Sequence, residues 1–251
     1  MPEKPDSARA TIILAIVCVG IGAYALTYGL QTLTYFEVRH WTSANPYLNT
    51  TPQPIPSTAA SAVQEKNLSA YGMQFAAAWK AILPEKQNAG SIEIDFKQGP
   101  ILIFFDPAGQ KNIVESIQDG NPQTFDQYKS IFGDRLFATD YDLYSAVYAA
   151  SLAEVSPFMT RTSVVRASTL LQWKLGFGTY GASAIYTVQT HGLRGFQFGD
   201  PSRDRIIVEQ LFDGRRQQFK LLFTSRAGPG TFPQADINCL LDSLQPADAT
   251  Q

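Results

Sequence analysis

The sequence predicts an α+β protein, with an N-terminal single transmembrane helix followed by a mostly antiparallel β-sheet domain with packed helices. Three observations carry that expectation. Residues 11–33, TIILAIVCVGIGAYALTYGLQTL, contain no charged side chain. Beyond residue 181 apolar side chains recur every second position, in runs paired across short turns. Between these regions the spacing becomes three and four, the period of helices that bury one face.

A helix rises about 1.5 Å per residue and needs about 20 apolar residues to cross a hydrocarbon core. Residues 11–36 meet that length and are the expected transmembrane helix, with residues 1–10 as a cytoplasmic tail. Tyr24, Tyr28, Tyr35, Phe36 and Trp41 crowd its far end, as rings do at a membrane interface. The competing expectation is a cleaved secretory signal: Lys4 and Arg9 precede an apolar core, and Ala23-Tyr24-Ala25 has small-x-small form. Apolar character continues through Leu26, Leu30, Leu33 and Phe36, which favours a retained anchor. Lys4, Arg9 and the terminal amine outweigh Arg39 beyond the span, which places the domain outside the cytoplasm.

Residues 42–61, TSANPYLNTTPQPIPSTAAS, are rich in Pro, Ser and Thr and lack periodicity. They read as an extended, flexible spacer holding the domain off the bilayer. The soluble α+β domain is expected over residues 62–246, and residues 247–251 as a disordered tail.

Within the domain, Leu68, Tyr71, Phe75, Trp79 and Ile82 are spaced by three or four and predict a helix over 62–83, stopped by Pro84. SIEIDF and ILIFFD then predict a strand pair, the second strand central. Helices are expected at 124–132, 141–155 and 157–175, the last capped by Ser156 with Pro157 in its first turn. ASAIYTVQ and LRGFQF form a hairpin across His191-Gly192, and RIIVEQLF and RQQFKLLF another across Asp213-Gly214. Thr231 and Gln234 have capping-box spacing ahead of a final helix whose buried stripe is Ile237, Leu240, Leu241 and Leu244. Cys239 falls opposite that stripe, covered by a neighbouring element or exposed and able to pair two chains.

This order of an early helix and hairpin, a helical middle, an antiparallel meander and a last helix ending in Asp242-Ser243-Leu244 resembles the PsbP-like superfamily of extrinsic photosynthetic proteins. The resemblance is architectural and spans residues 92–244, and the helical stretch at 124–175 departs from it. It implies a small extracytoplasmic domain that assists a membrane complex, with no catalytic residues to carry over.

Familiar chemistries find little support. Gly176-Phe177-Gly178-Thr179-Tyr180-Gly181 fits a dinucleotide fingerprint literally, but it follows a helix and precedes a strand, the reverse of the required context. With only His40 and His191 and no cysteine cluster, no metal site of ordinary ligand spacing is expected. A serine triad would need His191, and Ser183 lacks the strand-to-helix elbow. The acidic pairs Glu93/Asp95 and Asp140/Asp142 read as a wet strand face and the opening turn of a helix.

Two surfaces remain as binding candidates. Tyr141, Tyr144 and Tyr148 form a helical stripe, and Phe196 and Phe198 share a strand face: core packing, or an aromatic groove for an apolar ligand or peptide. Arg194, Arg203 and Arg205, with Arg215 and Arg216 nearby, read as a basic rim for a lipid headgroup or an acidic partner.

The expected function is therefore a membrane-anchored extracytoplasmic binding or assembly module without catalytic activity. The alternatives are a membrane-anchored hydrolase with an unrecognised site, and a secreted form released by signal cleavage. Expected partners are the lipid bilayer, through residues 11–36, and another envelope or membrane protein. No cofactor, metal or nucleic acid is expected, and the residues do not specify a small-molecule ligand.

Overall fold

The computed structural model describes residues 7–59, 61–156, 158–177, 181–214 and 217–246; in the first helix the side chains of residues 7–16, 23, 26 and 41–44 are outside that description. The expected tails at 1–6 and 247–251, and the glycine-motif residues 178–180, lie outside the described residues.

The chain opens with helix α1, Ser7–Ala44. Among the described residues no helix is long and apolar enough to cross a membrane. The most apolar part of the stretch, residues 11–16, has its side chains outside that description.

Two sheets and a helical layer build the domain. The large sheet has the order β1-β7-β8-β9-β10-β6-β5-β4, and a small one the order β11-β3-β2. Their strands are β1 (Gln53–Pro54), β2 (Glu65–Ala70), β3 (Met73–Ala77), β4 (Lys80–Asn88), β5 (Ser91–Lys97), β6 (Ile101–Phe105), β7 (Ile185–Thr190), β8 (Leu193–Phe198), β9 (Ile206–Phe212), β10 (Gln218–Thr224) and β11 (Gln245–Pro246). All pairings are antiparallel except β1 with β7. Between β6 and β7 run α2 (Ile113–Gly120), α3 (Pro122–Phe132), α4 (Asp140–Ala149) and α5 (Arg161–Gly176), and α6 (Gln234–Ser243) follows β10.

Period-two alternation gives the large sheet two different faces. Leu193, Ile207, Leu211, Phe219, Leu221 and Phe223 point to one side, where α6 supplies Ile237, Leu240 and Leu241 and the small sheet supplies Leu68, Met73 and Phe75. Phe196, Phe198, Val208 and Phe212 point to the other, under Leu143, Val147 and Tyr148 of α4 and Phe125, Phe132 and Trp173 of α3 and α5. The central strands are thus covered on both faces, like a filling between two layers.

The helix expected over 62–83 is instead β2, β3 and the start of β4. Tyr71 (φ 48°) and Gly72 (φ 74°) take left-handed backbone and turn the chain between β2 and β3. Met73, Phe75, Ala77, Trp79 and Ala81 are then buried at every second position. α5 begins at Arg161 and is capped by Thr160, whose Oγ1 accepts from the amide of Ser163, rather than by Ser156; Pro157 lies outside the described residues. The capping box at Thr231 does not form, because that hydroxyl serves Ser225 and Gly228.

Part of the spacer expected at 42–61 is held against the domain. Leu48 is buried with Val38 of α1, Ala150, Val155 and Leu171, and β1 joins the edge of the large sheet. Asn238 of α6 reaches the carbonyl oxygen of Pro56 and the hydroxyl of Thr58. Lys174 of α5 closes this junction. Its Nζ donates to the carbonyl oxygens of Leu48 (3.4 Å), Thr50 (2.6 Å), Tyr148 (2.9 Å) and Ala150 (2.8 Å). Burial pushes the ammonium pKa down to about 8, opposed by the Glu154 carboxylate, so the group stays charged at neutral pH.

Candidate functional site

A cleft of about 250 Å³ opens where α4 leans over the large sheet. Alternation fixes its floor: Phe198 of β8, Val208 and Gln210 of β9, and Gln218 and Lys220 of β10 all face the helical layer. Tyr144 and Tyr148, one turn apart on α4, form a wall, and their rings stack at 5.6 Å and 18°. Phe177, just past α5, packs against Tyr144 at 5.1 Å. Gln110 and Lys111, ahead of α2, complete the lining.

The hydroxyl of Tyr148 donates to Oε1 of buried Gln210 at 3.2 Å. Burial raises the Tyr148 phenol well above its ordinary value, with lesser contributions from Tyr144 and Tyr47. Burial likewise raises Tyr144, against a hydrogen bond from Gln210 that lowers it. Both phenols therefore remain protonated at neutral pH, and Tyr148 acts as a hydrogen-bond donor. Lys220 lies over the Phe105 ring at 5.4 Å. The lining combines amide, phenol and ammonium groups with aromatic faces and, among the described residues, contains no carboxylate.

α4 is set at this height by Asp140 and Thr139. Thr139 accepts from the amide of Asp142 and donates to its carboxylate. Buried Asp140 turns its carboxylate to the amides of Ile113 (3.0 Å) and Val114 (3.1 Å), the first residues of α2. One carboxylate thus orients two helices. The expected place of the Asp140/Asp142 pair at a helix start is found; its role in capping a second helix has no sequence signature.

The eight candidate residues are divided by the fold. Tyr141, Tyr144, Tyr148, Phe196 and Phe198 belong to one cluster, but of these only Tyr144, Tyr148 and Phe198 line the cleft. Tyr141 stacks on Phe196 at 5.5 Å and 14°, with the Arg194 guanidinium 4.0 Å above its ring. Arg203 and Arg205 precede β9, beyond the opposite end of β8, where Arg205 holds the carbonyl oxygen of Ser225 and Arg203 approaches Asp200. Arg194 lies opposite Phe212, seven positions along from Arg205 or roughly 23 Å at 3.3 Å per residue, so the expected basic rim is not one surface. Arg215 and Arg216 lie outside the described residues.

Comparisons with protein-family models, with curated proteins and with solved structures find no match to this chain.

Ser183 and His191 are not brought together as a serine triad. Ser183 and His191 flank β7 at its two ends, and Ser183 is engaged with Asp204 through both its amide and its hydroxyl. Glu93 and Asp95 do not form a wet carboxylate pair. Both bind Lys86, Asp95 also binds Arg226, and their side chains are only 22% and 18% exposed. Burial alone raises the Asp95 carboxyl, but Lys86 and Arg226 overcome it and the net shift is downward. Among the described residues no group of three His, Cys, Asp or Glu is placed to hold a metal ion.

Cys239 is half-buried in a second depression of about 470 Å³, between α6, β7 and residues 55–63. Burial, then the carboxylates of Asp236 and Asp242, raise its thiol. Ile55, Pro56, Ser57, Thr58, Ser61 and Val63 border the depression that Cys239 lines, so the thiol is partly accessible.

Proposed function

We propose that this chain is a membrane-anchored, extracytoplasmic binding module, held by α1 and taking a small neutral or anionic polar molecule in the cleft between α4 and the large sheet. The observation that carries the binding half is the Tyr148–Gln210 pair. A buried phenol and amide, fixed by helix and strand, face a concave space lined by further amides and ammonium groups. Convergent polar groups on an aromatic frame are the equipment of a ligand site. The volume suits a metabolite-sized ligand rather than a long peptide.

The anchor half rests on the uncharged stretch at 11–33 within α1 and on the Lys4/Arg9 bias. An assembly role beside a membrane complex is the second reading; the sequence resemblance that suggested it loses its early helix, which is β2, β3 and the start of β4.

Alkaline carbonate extraction of membranes, with sequencing of the mature N-terminus, tests the anchor. The chain is expected in the pellet with residues 1–25 retained; a soluble chain beginning at Leu26 overturns it. For the cleft, a thermal-shift screen of small polar metabolites is expected to give ligands that stabilise the parent protein and lose their effect in Gln210→Leu. Hits that stabilise the variant equally place binding elsewhere. Crosslinking in native membranes addresses assembly, and repeated recovery of the protein alone counts against it.

A further inference from the structure

Phe158 is the most exposed large apolar side chain described within the folded domain, at 69%. It is not on a loose loop. The amide of Phe158 donates to the Ser156 hydroxyl, the amide of Met159 to the Ser156 carbonyl oxygen, and Met159 packs inward on the Val38–Leu48 cluster. Met159 is therefore partly buried while Phe158 faces outward.

Its ring meets α1. It lies 6.2 Å from the Tyr24 ring and 6.4 Å from the Tyr28 ring, edge-on to both. Ile21 is exposed on the same side of α1, and Val19, Leu30 and Leu33 are exposed on its opposite side.

The level of this contact follows from helix geometry. Of the expected helix at 11–36, about the first 20 residues are enough to cross the hydrocarbon core and end near Leu30, which leaves residues 31–36 for the outer interface. At 1.5 Å per residue, Tyr28 and Tyr24 lie about 3 and 9 Å inside that end. This is the depth of the boundary between headgroups and acyl chains, where aromatic rings concentrate. The domain begins to pack on α1 at Tyr35, only about 8 Å beyond Leu30 by the same rise. No free spacer lifts it away.

We infer that the turn at Phe158 is a second membrane contact: its ring enters the outer interface of the bilayer beside Tyr24 and Tyr28 and seats the domain directly on the lipid surface. This rests on the anchor reading above. The occupant is lipid because the patch is continuous with the uncharged helix and lies at the height of its exit.

The test uses full-length protein in phosphatidylcholine vesicles, with bromine placed high or low on the acyl chains. Phe158→Trp changes an exposed ring, and its added emission is measured over that of native Trp41, Trp79 and Trp173. Val19→Trp, made in a separate chain, reports the anchor. The expected result is loss of most of the emission added at position 158 with shallow bromine, and of that added at position 19 with deep bromine. Quenching at position 19 with the emission from position 158 unaffected overturns the second contact and leaves the anchor standing. Absence of quenching at both positions overturns both.

Discussion

The ammonium of Lys174 donates a 2.6 Å hydrogen bond to the carbonyl oxygen of Thr50, joining α5 to the segment that leaves α1. Three further carbonyl oxygens surround it. Lys174→Met removes the donor and leaves these acceptors buried, so unfolding in urea should show a loss of about 3 kcal/mol. Limited proteolysis should also cut within residues 45–55 faster than in the parent. Unchanged cleavage there would mean that apolar packing of Leu48 holds the segment without the lysine.

Asp140 caps a helix that is not its own. Its carboxylate takes the first two amides of α2, while the Asn112 side chain takes that of Glu115. Asp140→Ala should cost about 1–2 kcal/mol. Hydrogen exchange should accelerate at Ile113 and Val114 but not at Glu115, which keeps its own acceptor. Uniform acceleration would show a global loss instead.

Glu209 is fully buried on the α6 side of β9, and neither carboxyl oxygen has a hydrogen-bond partner among the described residues. Burial raises its pKa well above the ordinary value of 4.5. The native carboxyl is thus neutral where the unfolded one is ionised, so the native state binds the extra proton. Stability falls as pH rises above about 4.5, by about 1.4 kcal/mol per unit until the folded pKa is reached. Glu209→Gln abolishes that slope. Urea titrations at about pH 4 and about pH 7 should show the variant gaining on the parent as pH rises, and parallel curves would refute the assignment.

Gly195 of β8 lies opposite Leu211, and a Cβ there would collide with the backbone carbonyl of Gln210. Backbone cannot swing aside as a side chain does. Gly195→Ala should therefore cost about 2 kcal/mol and displace Gln210, weakening any ligand of the cleft. A variant with parental ligand affinity would separate the two effects.

The sheet hairpins are legible in the sequence because turn residues and period two coincide, as in Phe219, Leu221 and Phe223 of β10. The strands at 65–81 are not. Their buried positions include Ala70, Ala77 and Ala81, small residues with high helix propensity that hide the alternation and let Leu68, Tyr71, Phe75 and Trp79 mimic a helix. The tyrosine stripe of α4 points to the cleft, since its spacing alone puts Tyr144 and Tyr148 on one face. Gln210 and Lys220 come only with the strand register. Lys174 and Glu209 give no local sign, because what surrounds them arrives from remote segments: Thr50 is 124 positions from Lys174.

The continuity of α1 from Ser7 to Ala44, with Val38 and Leu48 locked into the domain, leaves no swivel between handle and head. Azimuth is therefore written into helix length. One residue inserted between Leu30 and Tyr35 would turn the domain by about 100° about the axis of α1, redirecting the mouth of the cleft and carrying Phe158 off Tyr24 and Tyr28.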